Sequence, residues 1–120
     1  MAYVVLPPVG RMLLDMEIIE LPAVTRRIGE LLSAEEYRRF QLDLIARPDI
    51  GPIKRESGGL RKVRWSAKGH GKSGGVRVIY YWDEPRSRIF LLFIYPKNEQ
   101  EDLTPRQWAI LRALIAKEVP

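Results

Sequence analysis

The period of the apolar positions changes along the chain, and each change predicts an element. Met16 to Leu21, MEIIEL, is short and rich in β-branched residues and stops at Pro22, which predicts an opening strand. Thr25 to Leu32 predicts a first helix. Ser33 opens S-A-E-E, a capping box with Ser33 as N-cap and the Glu36 carboxylate returning to it. From there to about Ala46, Tyr37, Phe40, Leu44 and Ile45 recur at helical spacing, with Glu35, Arg38, Arg39 and Asp43 largely opposite. This second helix is a surface helix packed by one stripe. Pro48 to Gly59 breaks the pattern with Pro48, Gly51, Pro52, Ser57, Gly58 and Gly59, and predicts a loop.

After the loop the period falls from 3.6 to 2. In LRKVRWS, Arg61, Val63 and Trp65 point one way and Lys62, Arg64 and Ser66 the other, because successive strand side chains alternate. Val76 to Trp82 is a second strand, with Arg77, Ile79 and Tyr81 opposite Val76, Val78, Tyr80 and Trp82. Arg88 to Tyr95 is the most continuously apolar run, as expected of a strand covered on both faces. Asp83, Glu84 and Pro85 suit a tight hairpin before it. Thr104 as N-cap, Pro105 at the first helical position and Gln107 in T-x-x-Q open a last helix. Its stripe is Trp108, Leu111 and Ile115, widened by Ile110 and Leu114.

The expected fold class is therefore α+β, a small sandwich of order β-α-α-β-β-β-α with a mainly antiparallel sheet. Residues 16–120 form one domain, and residues 1–15, with paired prolines and no sustained period, form an extension that is either disordered or an extra strand. At 120 residues with 46% apolar content, the chain can bury a core without disulfides or metals. It has no Cys and one His, which excludes thiol nucleophiles and Cys/His zinc sites and predicts no cofactor and no metal. It shows neither a run of about 18 apolar residues nor a secretory leader pattern, so the expectation is a cytoplasmic protein without membrane contact.

Charge changes the picture. The formal net charge is +5, from 20 Lys and Arg against 15 Asp and Glu, but Lys54 to Arg77 alone holds eight cations against Glu56. That window carries +7, so the rest of the chain carries −2. A solvated face usually mixes both signs, so a one-signed cluster favours a polyanion site. The connector KGHGKSGG, Lys68 to Gly75, does not fit a phosphate loop, which needs a Gly where Ser66 stands and a helix where a strand follows. Its glycines instead let Lys68 and Lys72 reach over a sheet face. His70 titrates nearest neutrality but sits among glycines, where positional precision is hard to keep. Glu99, Glu101 and Asp102 cluster before the last helix, which its dipole explains better than a metal does. Tyr80 and Trp82 read as core, and Tyr81, sharing the Arg77 face, is the better candidate for stacking on a base.

The string GGLRKVRWSAKGHGKSGGVRVIYYW, followed by an apolar strand and YPKNEQEDLT, resembles the RelE/HigB family of toxin–antitoxin ribonucleases, particularly its HigB-like branch. The likeness spans roughly Met16 to Ile115, and the family's fold agrees with the order of elements above. The resemblance implies an endoribonuclease that cuts messenger in the ribosomal A site by metal-independent attack of the 2′-hydroxyl. It also implies a cognate helix-turn-helix antitoxin, which would supply any DNA binding. By motif, Lys62, Arg64, Lys68, Arg77 and Lys97 match the family's basic catalytic site, with His70, Lys72, Tyr81 and Arg61 as substrate contacts. Arg77 would clamp the scissile phosphate and Arg64 share its charge, Lys62 or Lys68 would be the base, and His70 and Lys97 are alternative proton donors. Leu103 stands where some members carry a catalytic Tyr, so that role is absent or taken by Tyr95 or Tyr81. A non-catalytic RNA-binding module and a degenerate toxin kept for antitoxin binding are the alternatives.

Overall fold

The computed structural model describes residues 3–5, 16–66 and 75–119. Its elements are β1 (Tyr3–Val5), β2 (Glu17–Glu20), α1 (Pro22–Leu31), α2 (Ala34–Ala46), β3 (Arg61–Trp65), β4 (Val76–Asp83), β5 (Arg88–Pro96) and α3 (Pro105–Glu118). The strands form one sheet in the order β1-β2-β5-β4-β3. Only β2 and β5 run parallel; the other neighbours are antiparallel. This is the α+β fold expected from the order of elements, with β1 added at one edge beside β2. Lys68, His70 and Lys72 lie outside the described residues.

Helices cover both faces. Val24 and Ile28 of α1 and Phe40, Leu44 and Ile45 of α2 pack on Ile18, Val63, Val78, Tyr80 and Leu91. On the reverse face Trp108, Leu111 and Ile115 of α3 pack on Ile19, Ile79, Phe90, Leu92 and Tyr95. The two sets alternate residue by residue along β4, as a strand buried on both sides requires. In β5 the register slips opposite Ile79 and Tyr80, whose partners are Phe93 and Leu91. The bulge at Leu92 turns both Leu92 and Phe93 toward α3 and reverses the phase of the strand beyond it.

Local chemistry sets the helix ends. Both capping boxes form: Glu36 N–H donates to Ser33 Oγ at 3.0 Å and Gln107 N–H to Thr104 Oγ1 at 3.1 Å, each returned to the cap's own N–H. The first helix starts at Pro22, earlier than the expected Thr25. Proline has no N–H to leave unpaired in a first turn, so Pro22 begins α1 directly after the Leu21 cap that follows β2. The β4–β5 connection is a single 3₁₀ turn over Glu84–Arg86, closed by Ser87 in the left-handed region at φ 52°. Ile110 and Leu114 do not widen the buried stripe of α3; they are 51% and 38% exposed, because α3 meets the sheet through Trp108, Leu111 and Ile115 alone.

Tyr80 ties the 48–51 loop to the sheet. Its hydroxyl donates to Pro48 O at 2.7 Å and accepts from Gly51 N–H at 2.9 Å. A Cβ at Gly51 would stand 2.9 Å from Lys62 O, so only glycine lets the loop lie this close against β3.

Candidate functional site

The site is built on the α3 side of the three-stranded antiparallel end of the sheet. Register places Arg64 opposite Arg77 and Arg77 opposite Tyr95, so one row of side chains crosses β3, β4 and β5 on a single face. Lys62 stands opposite Ile79 in the next row on that face. The structure thus brings Lys62, Arg64 and Arg77 together, as alternation on the two strands implies. Gly75 fixes where β4 begins. It adopts φ 90°, and a Cβ there would lie 2.7 Å from Trp65 O. Its carbonyl accepts the N–H of Lys97 at 3.3 Å, which sets the residue after β5 beside the start of β4.

The three cations differ in environment. Arg64 is exposed. Arg77 is only 6% exposed, and its side chain makes a 3.5 Å hydrogen bond to the carbonyl of its neighbour Val76. Neither has a carboxylate partner among the described residues. Like charges directly opposite in a sheet are destabilising by up to about 1 kcal/mol, so this pair carries a cost that an anion between the two would remove. Lys62 differs: its ammonium donates to Asp102 Oδ1 at 3.1 Å.

Asp102 is the residue that sequence reasoning missed. Its Oδ1 also accepts the N–H of Leu103 at 2.8 Å, just before the Thr104 cap. Burial pushes its carboxyl up, but the hydrogen bonds from Lys62 and Leu103 and the charges of Lys62 and Lys54 outweigh that and hold it below the ordinary value. Its neighbour Glu99 takes another course, forming a forked contact to Arg27 of α1 at 3.1 and 3.2 Å. The acidic cluster before α3 therefore splits into two ion pairs that cross the fold. Lys62 lies 40 residues before Asp102, and no local pattern joins them.

Tyr95 ends the row and is fully buried. Its hydroxyl has no hydrogen-bond partner among the described residues, and burial pushes it up to about 12, with Asp102 adding to the shift and Arg77 opposing it. Tyr81 is half-buried on the same face, against the glycine turn at Gly59, and Leu103 is buried beneath α3. Arg61 lies apart from the row. It faces the α1–α2 side, donates to Gly51 O at 2.8 Å and Asp49 O at 3.3 Å, and lies 6.0 Å from the Trp82 ring centre. Its place is that of a clamp on the 49–51 loop.

Beyond Asp102 a cavity of about 560 Å³ opens between α3 and the turn at residues 54–59. Lys54, Arg55 and Arg112 line it, and the Lys54 ammonium sits 5.4 Å from the centre of the Trp108 ring. Among the described residues no cluster of His, Asp and Glu has the makings of a metal site, and no helix is long and apolar enough to cross a membrane.

The structure is thus a small α+β domain with a cationic row on the antiparallel part of its sheet. The family model described as "RelE toxin of RelE / RelB toxin-antitoxin system" matches residues 45–119, more than half of the chain, and the chain belongs to that toxin family. The structure is similar to that of the E. coli toxin RelE, solved in the free state as a double arginine-to-alanine mutant. The TM-score is 0.55 at 12% identity, covering 86% of this chain and 96% of that one. At that identity the likeness speaks for the fold.

Proposed function

We propose that this toxin is an endoribonuclease that arrests translation by cutting messenger RNA in the ribosomal A site, and that a helix-turn-helix antitoxin neutralises it. The observation that carries the reading is the Arg64–Arg77 pair, two arginines in register across β3 and β4 on one face, neither with a carboxylate partner among the described residues. A phosphodiester would satisfy both.

Cleavage by the RNA's own 2′-hydroxyl needs a base for that proton, cations around the pentacoordinate phosphorane, and an acid for the departing 5′-oxygen. Arg77 and Arg64 supply the fixed positive charge. Lys62, its side-chain nitrogen engaged by Asp102 at 3.1 Å, adds a third cation that is already committed to a carboxylate. We therefore assign the base to Lys68, in the connector between β3 and β4, and the acid to Lys97, whose backbone is tied to Gly75 at the start of β4. His70 is the alternative donor, and Lys72 and Tyr81 contact the flanking RNA. The chemistry calls for no metal or cofactor.

The test is induction of the chain in growing cells with messenger 5′ ends mapped by primer extension. New ends inside translated codons are expected, and Arg77→Ala should reduce them by about 10²- to 10³-fold, the usual effect of removing one preorganised donor to a transition-state anion. Arrest of translation without new ends would reduce the protein to an RNA or ribosome binder. Loss of toxicity with antitoxin binding intact would mark a degenerate toxin.

A further inference from the structure

We infer that the cavity between the 54–59 turn and α3 is a second subsite for the same RNA strand, holding one nucleotide beside the phosphate gripped by Arg64 and Arg77. The inference rests on the nuclease reading above. At about 560 Å³ the cavity falls within the roughly 300–1,000 Å³ of small-molecule sites, and so suits a nucleotide rather than a bare ion. Its walls are of two kinds. Trp108 and Pro105 give apolar surface for a base or ribose, and Lys54, Arg55 and Arg112 give charge for a phosphate.

The cations are available. Lys54 and Arg55 form no salt bridge among the described residues. Arg112 donates one guanidinium N–H to Glu56 O at 2.9 Å, which aims the group while leaving its other donors for an anion. Two carboxylates also line the cavity, Glu56 and Asp102, but Asp102 is matched by Lys62. Three cations against two carboxylates leave the lining at +1, and Lys62 just outside it offsets Asp102. The turn is fixed by Ser57, whose Oγ donates to Lys54 O at 2.6 Å and accepts from Leu60 N–H at 2.9 Å, and by Glu56, Gly58 and Gly59 at positive φ.

Continuity makes RNA the favoured occupant over a carboxylate-bearing peptide. Asp102 is at once a wall of the cavity and the partner of Lys62, so the cavity begins where the cationic face of β3 ends. A strand whose scissile phosphate lies on the row has its neighbouring nucleotide directed here.

The experiment uses the full chain, ¹⁵N-labelled, with a 2′-O-methyl RNA octamer that cannot be cleaved. Of Trp65, Trp82 and Trp108, only Trp108 lines the cavity, so its indole N–H signal, from a nitrogen buried behind that wall, reports the cavity, and the backbone amide of Arg77 reports the row. The octamer is expected to move both signals. Arg112→Gln should abolish the Trp108 shift and weaken octamer binding about tenfold, the effect of one charge-assisted hydrogen bond, while leaving a dinucleotide's affinity for the row unchanged. Lys54→Gln repeats the test at a second position, should Arg112→Gln disturb the turn. Movement of Arg77 without Trp108 overturns the subsite and leaves the nuclease reading standing. Movement of Trp108 alone, or of neither, overturns both. If a glutamate-rich octapeptide moves Trp108 where RNA does not, the cavity takes a protein partner and the proposal fails.

Discussion

At the scale of the residue, Asp102 does the most to set the character of the face. It lies beside the cationic row and pairs with Lys62 in the next row of the same face, at 3.1 Å. Because its carboxyl is held below the ordinary value, the stability it contributes is complete above about pH 4. It is lost as the pH falls through the lowered value, which lies below 3.8. Asp102→Asn is therefore expected to flatten the acid limb of the stability–pH curve below about pH 4, read by urea unfolding at a series of pH values. An unchanged acid limb would mean that the ion pair does not form in solution. Alternation on β3 and β4 is enough to place Lys62 with Arg64, and Arg61 away from them, because period 2 is a local property. The acid that meets Lys62 comes from a segment 40 residues later, and proximity across the fold leaves no mark in the local pattern. The same holds for Arg77. Its face is legible, but its 6% exposure is a property of the folded chain that the alternation does not contain.

At the scale of the element, the β4–β5 hairpin holds the row in register and is itself held by a buried acid. Asp83, 1% exposed, receives Arg88 Nε at 3.1 Å and Nη2 at 2.8 Å, with Arg86 at 3.4 Å. Arg88 also lies over the Phe90 ring at 4.9 Å. The motif D-E-P at this point announces a turn but not that its Asp is a structural anion. Asp83→Ala is expected to cost about 2 kcal/mol, less than a fully buried pair because the arginines keep part of their hydration. A lowered urea midpoint with an unchanged slope would show it. The elements with internal signals are those the sequence predicts best: both capping boxes close on the residues expected of them. The bulge in β5 is different. RIFLLFIY is apolar throughout, so its pattern contains nothing to show where the phase reverses, and only the pairing with β4 reveals it.

At the scale of the whole molecule, the +7 window does not act as one patch. The fold divides it, sending Arg61 to the α1–α2 side, Arg64 and Arg77 to the α3 side, and Lys54 and Arg55 to the cavity beyond Asp102. Net charge would attract a polyanion to any of these, but the α3 side sets two arginines in register across neighbouring strands with no carboxylate partner among the described residues. Salt dependence separates the general attraction from the specific contact. Each single-strand phosphate neutralised contributes about 0.7 to the log–log slope of affinity against salt. Removing a cation that touches phosphate lowers the slope by that amount, whereas removing one that merely adds to the field lowers affinity with little change in slope. Arg64→Gln is therefore expected to reduce the slope for a single-stranded oligoribonucleotide by about 0.7, and Arg61→Gln to leave it unchanged, measured by fluorescence anisotropy across a potassium chloride series. Equal effects from the two variants would place the RNA on a diffuse basic surface and remove the physical basis for a nuclease site on the α3 face.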